Sequence, residues 1–240
     1  MRFRTQAGQG RSALWLAIQG FHGQESSQMK RSTTYIVFAL VAAAAALGAT
    51  SAAAQAGPDQ TAKFLKTVEG TVKAIGESRA QLQKTVATYN SIAEMTAKDL
   101  KGAYKDLGKD IADSEKKVAD GGPKVDEMNT AAEGYFAAWK ASAAAISDPD
   151  LRKRSEERLA DARARFDKIA VAGKDSRQSF DTLMTDIKDQ STFLGHDLNA
   201  SAIATLKPNA AKFNAHAATV FTKTDGVTKM FEEYIASMKP

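Results

Sequence analysis

Apolar residues recur at alternating steps of three and four from Leu65 to Val118, the spacing of one face of an α-helix. No part of the chain sustains the polar–apolar alternation of a β-strand. One extra step of four near Ile111 shifts the register locally, as a stutter does in a coiled coil. The pattern therefore predicts a long first helix. The positions on its seam, meaning its apolar face, are Leu65, Val68, Val72, Ile75, Arg79, Leu82, Val86, Tyr89, Ala93, Thr96, Leu100, Ala103, Leu107, Ile111, Ser114 and Val118.

Three further seams follow, and a proline marks the start of each. Residues 121–123 (Gly-Gly-Pro) are expected to end the first helix and to begin the second, because glycine favours helix ends and proline the first helical position. Asp148 before Pro149 forms a helix-start signature with Asp148 as the N-cap, and Pro208 is expected to open the fourth helix. The second seam is Val125, Met128, Ala132, Tyr135, Trp139, Ser142 and Ile146; the third is Leu151, Ser155, Leu159, Ala162, Phe166, Ile169, Gly173, Ser176, Phe180, Leu183, Ile187, Gln190 and Leu194; the fourth is Phe213, Ala217, Val220, Thr224, Val227, Phe231, Tyr234 and Met238.

Helices of this kind must pack on one another, since a lone amphipathic helix is marginally stable in water. The first would be about 90 Å long, too long for a compact globule. The sequence thus predicts an all-α fold: an elongated antiparallel helical bundle, or coiled coil, of three to four long helices. The number depends on whether Pro149 marks a reversal or only a kink, which the pattern leaves open.

Several seam positions are polar where a stable coiled coil prefers Leu or Ile. One interpretation is a bundle that opens or pairs with a partner. The other is a core that is partly accessible to solvent but packs well enough to keep the bundle folded. The polar positions are Arg79, Thr96, Ser114, Ser142, Ser155, Ser176, Gln190 and Thr224.

The N-terminal region resembles an export signal. Met29 is followed by Lys30 and Arg31, and residues 35–47 form an apolar run. Small residues after this run fit the A-x-A cleavage rule, so we expect cleavage after Ala54 or Ala56 and an exported, periplasmic protein of the cell envelope. The alternative is an uncleaved membrane anchor, although the stretch is rich in Ala and Ser rather than Leu.

The predicted organisation has three parts. Residues 1–28 fit no signal peptide, so we expect a mis-called N-terminal extension with Met29 as the true start. Residues 29–56 are the predicted signal peptide, and residues 57–240 the single helical-bundle domain.

Charge argues against a nucleic-acid partner. The chain has 33 Lys+Arg against 28 Asp+Glu, but residues 1–56 hold five of the bases and one of the acids, which leaves 28 against 27. Basic and acidic residues alternate along this remainder, whereas a phosphate-binding surface needs a basic stripe.

The chain offers little chemistry for catalysis. It contains no cysteine, which excludes disulfides, thiolate metal sites, thiol nucleophiles and a lipid-modified N-terminal cysteine. His196 and His216 lack ligand-spaced neighbours, and no phosphate loop, G-x-S-x-G elbow or inward-facing Glu-x-x-His pair is present. We therefore expect no enzyme activity, no cofactor and no metal, with His216 as a partly exposed structural residue.

Residues 193–206 differ in composition from the rest of the chain, since they combine Gly, His and Asn with an apolar stripe. The pattern His-x-Leu-Asn-Ala-x-Ala-Ile-x-x-Leu at residues 196–206 resembles an uncharacterised bacterial family of exported, helix-rich proteins, known only as a domain of unknown function. Further similarities are Leu151-Arg152 with Ser155 and Leu159, Phe136 with Trp139, and Ala103-Tyr104. The resemblance implies a helical topology and export from the cytoplasm, but it implies no activity. Family members tend to have Lys or a similar residue where this chain has Gly195.

The candidate site follows from this segment. We expect His196 and Asn199 to lie at a helix–helix junction and to hydrogen-bond backbone groups freed near Gly195. Asp197, Trp139 and Arg152 complete the candidate interaction residues.

The predicted function is a non-catalytic structural or scaffold protein that binds envelope proteins, or self-associates, through its seams. The alternative is a peripheral membrane-surface protein, for which a helix needs an apolar face and lysines on its polar face. The residues considered for that role are Lys63, Lys66, Lys73 and Lys84 on the first helix and Phe231, Tyr234, Ile235 and Met238 on the fourth. The near-neutral charge after the leader weakens this alternative.

Overall fold

A computed structural model describes residues 57–239 as four α-helices, with no β-strand in that range. The helices are α1 (Pro58–Ala93), α2 (Leu100–Ala144), α3 (Pro149–His196) and α4 (Ala200–Met238). Their lengths of 36, 45, 48 and 39 residues correspond to about 54–72 Å. The all-α prediction is confirmed.

The helices form an up-down-up-down ring. Each packs against its neighbours in the chain, and α4 closes the ring against α1. The short connections make neighbouring helices antiparallel. Residues 94–99 and 197–199 therefore share one end of the bundle, called the loop end here, whereas residues 145–148 and both ends of the described chain lie at the other, the terminal end.

The predicted first helix is wrong in its extent, because the chain reverses at residues 94–99. The backbone N–H groups of Thr96 and Ala97 both donate to the Ser91 carbonyl at 3.0 Å. Met95 adopts a φ of 55°, and the Asp99 side chain caps α2 by accepting a hydrogen bond from the Lys101 N–H at 3.1 Å. The spacing of apolar residues by three and four continues through this loop, although the backbone is not helical there. Two helices packed as a hairpin therefore replace one helix of about 90 Å.

Two prolines predicted to begin helices lie inside them instead. Pro123 is within α2 and Pro208 within α4. Residues on both sides of Pro123, including Ile111 and Met128, are buried in the bundle, so packing keeps α2 continuous despite the lost backbone hydrogen bond. Beside Pro123, the Thr71 hydroxyl of α1 donates to the Lys124 carbonyl at 3.1 Å.

Pro149 marks a reversal, which settles the question that the pattern left open. Asp148 is the N-cap, as predicted: its Oδ1 accepts from the N–H groups of Asp150 at 2.9 Å and Leu151 at 3.0 Å. Since α2 and α3 pack as antiparallel neighbours, the bundle has four helices rather than three.

The core has two parts. The loop-end core includes Tyr89, Leu107, Leu183, Ile187 and Phe213. The terminal-end core is built on aromatic rings, where Phe64 stacks on Tyr135 at 5.1 Å between centroids and meets three more rings edge-on. Between the cores lies a layer, called the waist here, in which Ala74, Gly121, Ser176 and Thr224 of the four helices line a cavity. Within residues 57–239, no helix is both long enough and apolar enough to cross a membrane.

Candidate functional site

Three of the predicted site residues lie together at the loop end. His196 is the last residue of α3 and is exposed, and Asp197 follows it as the C-cap. Asn199 is the N-cap of α4: its Oδ1 accepts from the Ala202 N–H at 2.9 Å, while its Nδ2 donates to the Asp197 carboxylate. Asn199 therefore supplies the capping oxygen at this junction, and the His196 ring faces solvent.

The other two predicted residues lie near the terminal end. Trp139 donates from Nε1 to Ser155 Oγ at 3.1 Å and packs edge-on against Tyr135. Arg152 is half-buried in the first turn of α3. It lies about 65 Å from His196 along the helix, so the five residues do not form one site.

Gly195 gives Tyr104 room to approach α3. A Cβ atom on Gly195 would lie 2.5 Å from the Tyr104 hydroxyl oxygen and 3.4 Å from its Cζ. Tyr104, which belongs to one segment of the family resemblance, thus meets the residue directly before the pattern at residues 196–206. A larger side chain at position 195 would displace Tyr104.

Two large apolar side chains at the loop end are exposed to solvent. Met95, in the first loop, is 46% exposed, and Phe193, in the last turn of α3, is 43% exposed. The left-handed backbone of Met95 costs about 1–2 kcal/mol for a residue with a Cβ. The Thr96 N–H donates to the Ser91 carbonyl and the Met95 N–H to the Ile92 carbonyl, so this left-handed residue is the cap that ends α1. No sequence pattern marked Met95, because the apolar spacing placed it inside a helix.

A groove between α1 and α4 opens near the same end. Its volume is about 380 Å³. Asn90 and Asn214 are among its lining residues. Their Oδ1 atoms are buried away from solvent and have no hydrogen-bond partner among the described residues, at a cost of about 1–3 kcal/mol each. Glu94 and Lys207 give it both signs of charge.

A buried polar cluster joins α1 to α2. The Asp110 side chain is only 2% exposed; it pairs with Lys84 Nζ at 2.7 Å and accepts from the Thr88 hydroxyl at 2.8 Å. Nearby, the Thr85 and Ser114 hydroxyls lie 2.7 Å apart. Burial acts to raise the pKa of Asp110, but the hydrogen bonds from Lys84 and Thr88 outweigh it and hold that pKa below its usual value. Asp110 is therefore ionised at neutral pH and fixes the register of α1 on α2.

Most polar seam positions are paired inside the bundle. Besides Ser114, Ser176 lies 3.1 Å from Thr224, Gln190 accepts from the Tyr89 hydroxyl, and Arg79 forms an ion pair with Asp225. These contacts favour a satisfied core over an unfilled interface at those positions. Thr96, placed on the seam by its spacing, belongs to the first loop instead.

Catalytic groupings are scarce in the described part of the chain. His216 Nδ1 lies 3.0 Å from Asp186 Oδ2, and this half-buried pair links α3 to α4. Across residues 57–239 no three His, Cys, Asp or Glu side chains converge as metal ligands would.

The apolar end of α4 considered for membrane contact is inside the bundle. Phe231 and Tyr234 belong to the terminal-end core, and Ile235 and Met238 pack against it. Burial raises the pKa of the Tyr234 hydroxyl. Contact with lipid through this face of α4 would require the bundle to open.

Comparison with known proteins places the chain in a family. No curated protein and no solved structure matches it. A model of a family described as a protein of unknown function, DUF2959, matches residues 51–238. The match spans all four helices and confirms the resemblance found in the sequence. The chain belongs to the DUF2959 family.

Proposed function

We propose that this protein is a non-catalytic, exported scaffold of the cell envelope that binds a partner protein through its loop end. The observation that carries the proposal is the exposure of two large apolar side chains, Met95 and Phe193, at the end of the bundle that also has the groove between α1 and α4. Exposed apolar residues together with polar and charged groups are typical of interaction surfaces.

The groove limits the chemistry of the partner segment. Glu94 and Lys207 line it, so the segment meets a negative and a positive charge there. Ala93, Ala210 and Ala211 leave room for a short apolar side chain. A polypeptide segment with small apolar residues and charged residues of both signs fits these requirements.

Export and the lack of catalysis are supported by the sequence. The predicted signal peptide at residues 29–56 lies outside the described residues. Of the two histidines in residues 57–239, His196 lies on an exposed helix end, and His216 lies within hydrogen-bonding distance of Asp186. These features suit a binding protein better than an enzyme.

Site-specific photocrosslinking in cells tests the proposal. A photoreactive residue replaces Phe193 or Met95, and a third chain carries it at Val171 on α3, which is 70% exposed but far from the loop end. We expect one adduct of the same mass from both loop-end positions and none from position 171.

The outcome discriminates between kinds of partner. An adduct of twice the chain mass would show that the partner is a second copy of this chain rather than another protein. No adduct from either loop-end position, or an identical adduct from position 171, would overturn the proposal.

A further inference from the structure

The waist contains a cavity to which all four helices contribute. Its volume is about 130 Å³, and most of its surface is apolar. Small residues create the space, since Ala74 of α1 faces Gly121 of α2 and Ser176 of α3 lies on the opposite side. Val118, Phe180 and Val220 form its apolar wall.

The polar side chains around this cavity already have partners. Arg79 donates to Asp225 at 2.5 and 3.0 Å, and Arg177 donates to Asp181 at 2.8 Å. The Ser78 hydroxyl donates to the Ala74 carbonyl at 2.9 Å. Ser176 Oγ lies 3.1 Å from Thr224 Oγ1, and the Thr224 hydroxyl donates a hydrogen bond to the Val220 carbonyl at 2.8 Å.

These pairings decide what the cavity can hold. A buried water needs two to four polar partners, and apolar cavities of about 150 Å³ stay dry and bind benzene or xenon. The cavity in this protein is of similar size but opens to solvent at Arg79, and each polar side chain around it has a partner within the protein. An anionic ligand at this opening would compete with Asp225 for Arg79.

We propose that the waist cavity is a binding site for a small, uncharged, mainly hydrocarbon molecule of about six to eight heavy atoms, the size class that such cavities hold. Arg79 lines the cavity while about a third of its side chain (34%) is exposed, so it lies where the cavity meets solvent. It also stacks over the Phe221 ring at 5.1 Å. The site is separate from the loop-end surface and does not depend on it.

Benzene titrated into the purified, methyl-labelled full chain tests the site by NMR. We expect saturable shifts of the Val118 and Val220 methyl groups with a dissociation constant at or below about 1 mM, within reach of six heavy atoms. Ala74→Leu fills the cavity and is expected to weaken binding at least tenfold. Ala87→Leu makes the same change on the exposed face of α1 and should leave binding unchanged.

Gly121→Ala keeps the test decisive if Ala74→Leu does not fold. Its Cβ would meet the Ala74 Cβ at 3.8 Å, an ordinary contact, so this variant fits the fold and only narrows the cavity. We expect it to weaken binding two- to fivefold. No saturable shift in the wild type, or equal affinity in wild type and the folded cavity variants, would overturn the proposal.

Discussion

The Tyr104 hydroxyl oxygen lies 2.5 Å from the point that a Cβ atom would occupy on Gly195. This approach brings the start of α2 against the last turn of α3, at the end of the bundle that carries Met95 and Phe193. The Tyr104 hydroxyl therefore depends on the absence of a Cβ atom at residue 195 for its present position.

Gly195→Ala tests that dependence. In the wild type the new methyl group must displace Tyr104, so we expect a loss of about 1 kcal/mol in the free energy of unfolding. With Tyr104→Phe the nearest ring atom is Cζ at 3.4 Å, and the same change should gain about 0.5 kcal/mol from helix propensity. Urea denaturation of the four chains measures the coupling. Equal effects of the alanine in both backgrounds would show that the contact has no energetic role.

Asp110 gives the bundle an acid-sensitive contact. Asp110→Ala leaves the Thr88 hydroxyl without its acceptor, so we expect a loss of about 1–3 kcal/mol at pH 7. Because the folded-state pKa of Asp110 is lowered, its contribution is present above the unfolded-state pKa of about 3.9 and is lost as the pH falls through the folded-state pKa. The difference between Asp110→Asn and wild type should therefore shrink below about pH 4.

Urea denaturation at several pH values measures this difference. Asp106→Asn is the matched control, since Asp106 is an exposed residue one turn away on α2. A difference for Asp110→Asn that stays constant down to pH 2 would mean that the carboxylate charge does not stabilise the bundle.

Glycines near the waist lower helix stability without a packing reason. Gly76, Gly173 and Gly226 lie on three helices, and a Cβ on any of them would meet nothing within 4 Å. Each change to alanine should stabilise the protein by about 0.5–1 kcal/mol and raise Tm by about 1–4 °C. Differential scanning calorimetry measures the gain. A fall in Tm would show that the waist needs these glycines in a conformation other than the one described.

Local chemistry could be predicted from the sequence, and tertiary geometry could not. Asp148 before Pro149 was identified because capping depends on neighbouring residues only. Pro123 also predicted the start of a helix, but α2 stays continuous there because residues on both sides of the proline pack in the bundle. The turn at residues 94–99 has neither Gly nor Pro, and the apolar spacing runs through it; the one usable signal was Asp99, a residue type that favours the N-cap before Leu100.

The candidate site was predicted only in part for the same reason. The segment around Asn199 stood out by composition, and its capping role is a local property. Asn90 and Asn214 come from the first and fourth helices, so no spacing in the sequence connects them. Only the closure of the ring by α4 against α1 brings the two residues to one groove.

Met95 has a left-handed backbone and an exposed side chain, so its replacement should affect stability and binding in opposite directions. Met95→Gly relieves the left-handed backbone and should stabilise the free protein by about 0.5–1 kcal/mol after the entropy of glycine is included. The same change removes an exposed apolar side chain, so the adduct formed from position 193 should fall several-fold. Calorimetry and crosslinking measure the two effects. A stabilised variant with undiminished adduct would remove Met95 from the proposed surface.

The groove between α1 and α4 predicts a further trade between stability and binding. Asn214→Leu replaces a buried oxygen that has no partner among the described residues, so we expect the free protein to gain about 1 kcal/mol. Leucine at this position also alters the lining of the groove, so the adduct formed from position 193 should weaken. Asn199→Ala is the contrasting control, because it removes a cap and should cost about 1 kcal/mol while leaving the groove intact. If Asn214→Leu destabilised the protein as Asn199→Ala does, the Asn214 amide would be a structural group of the free bundle.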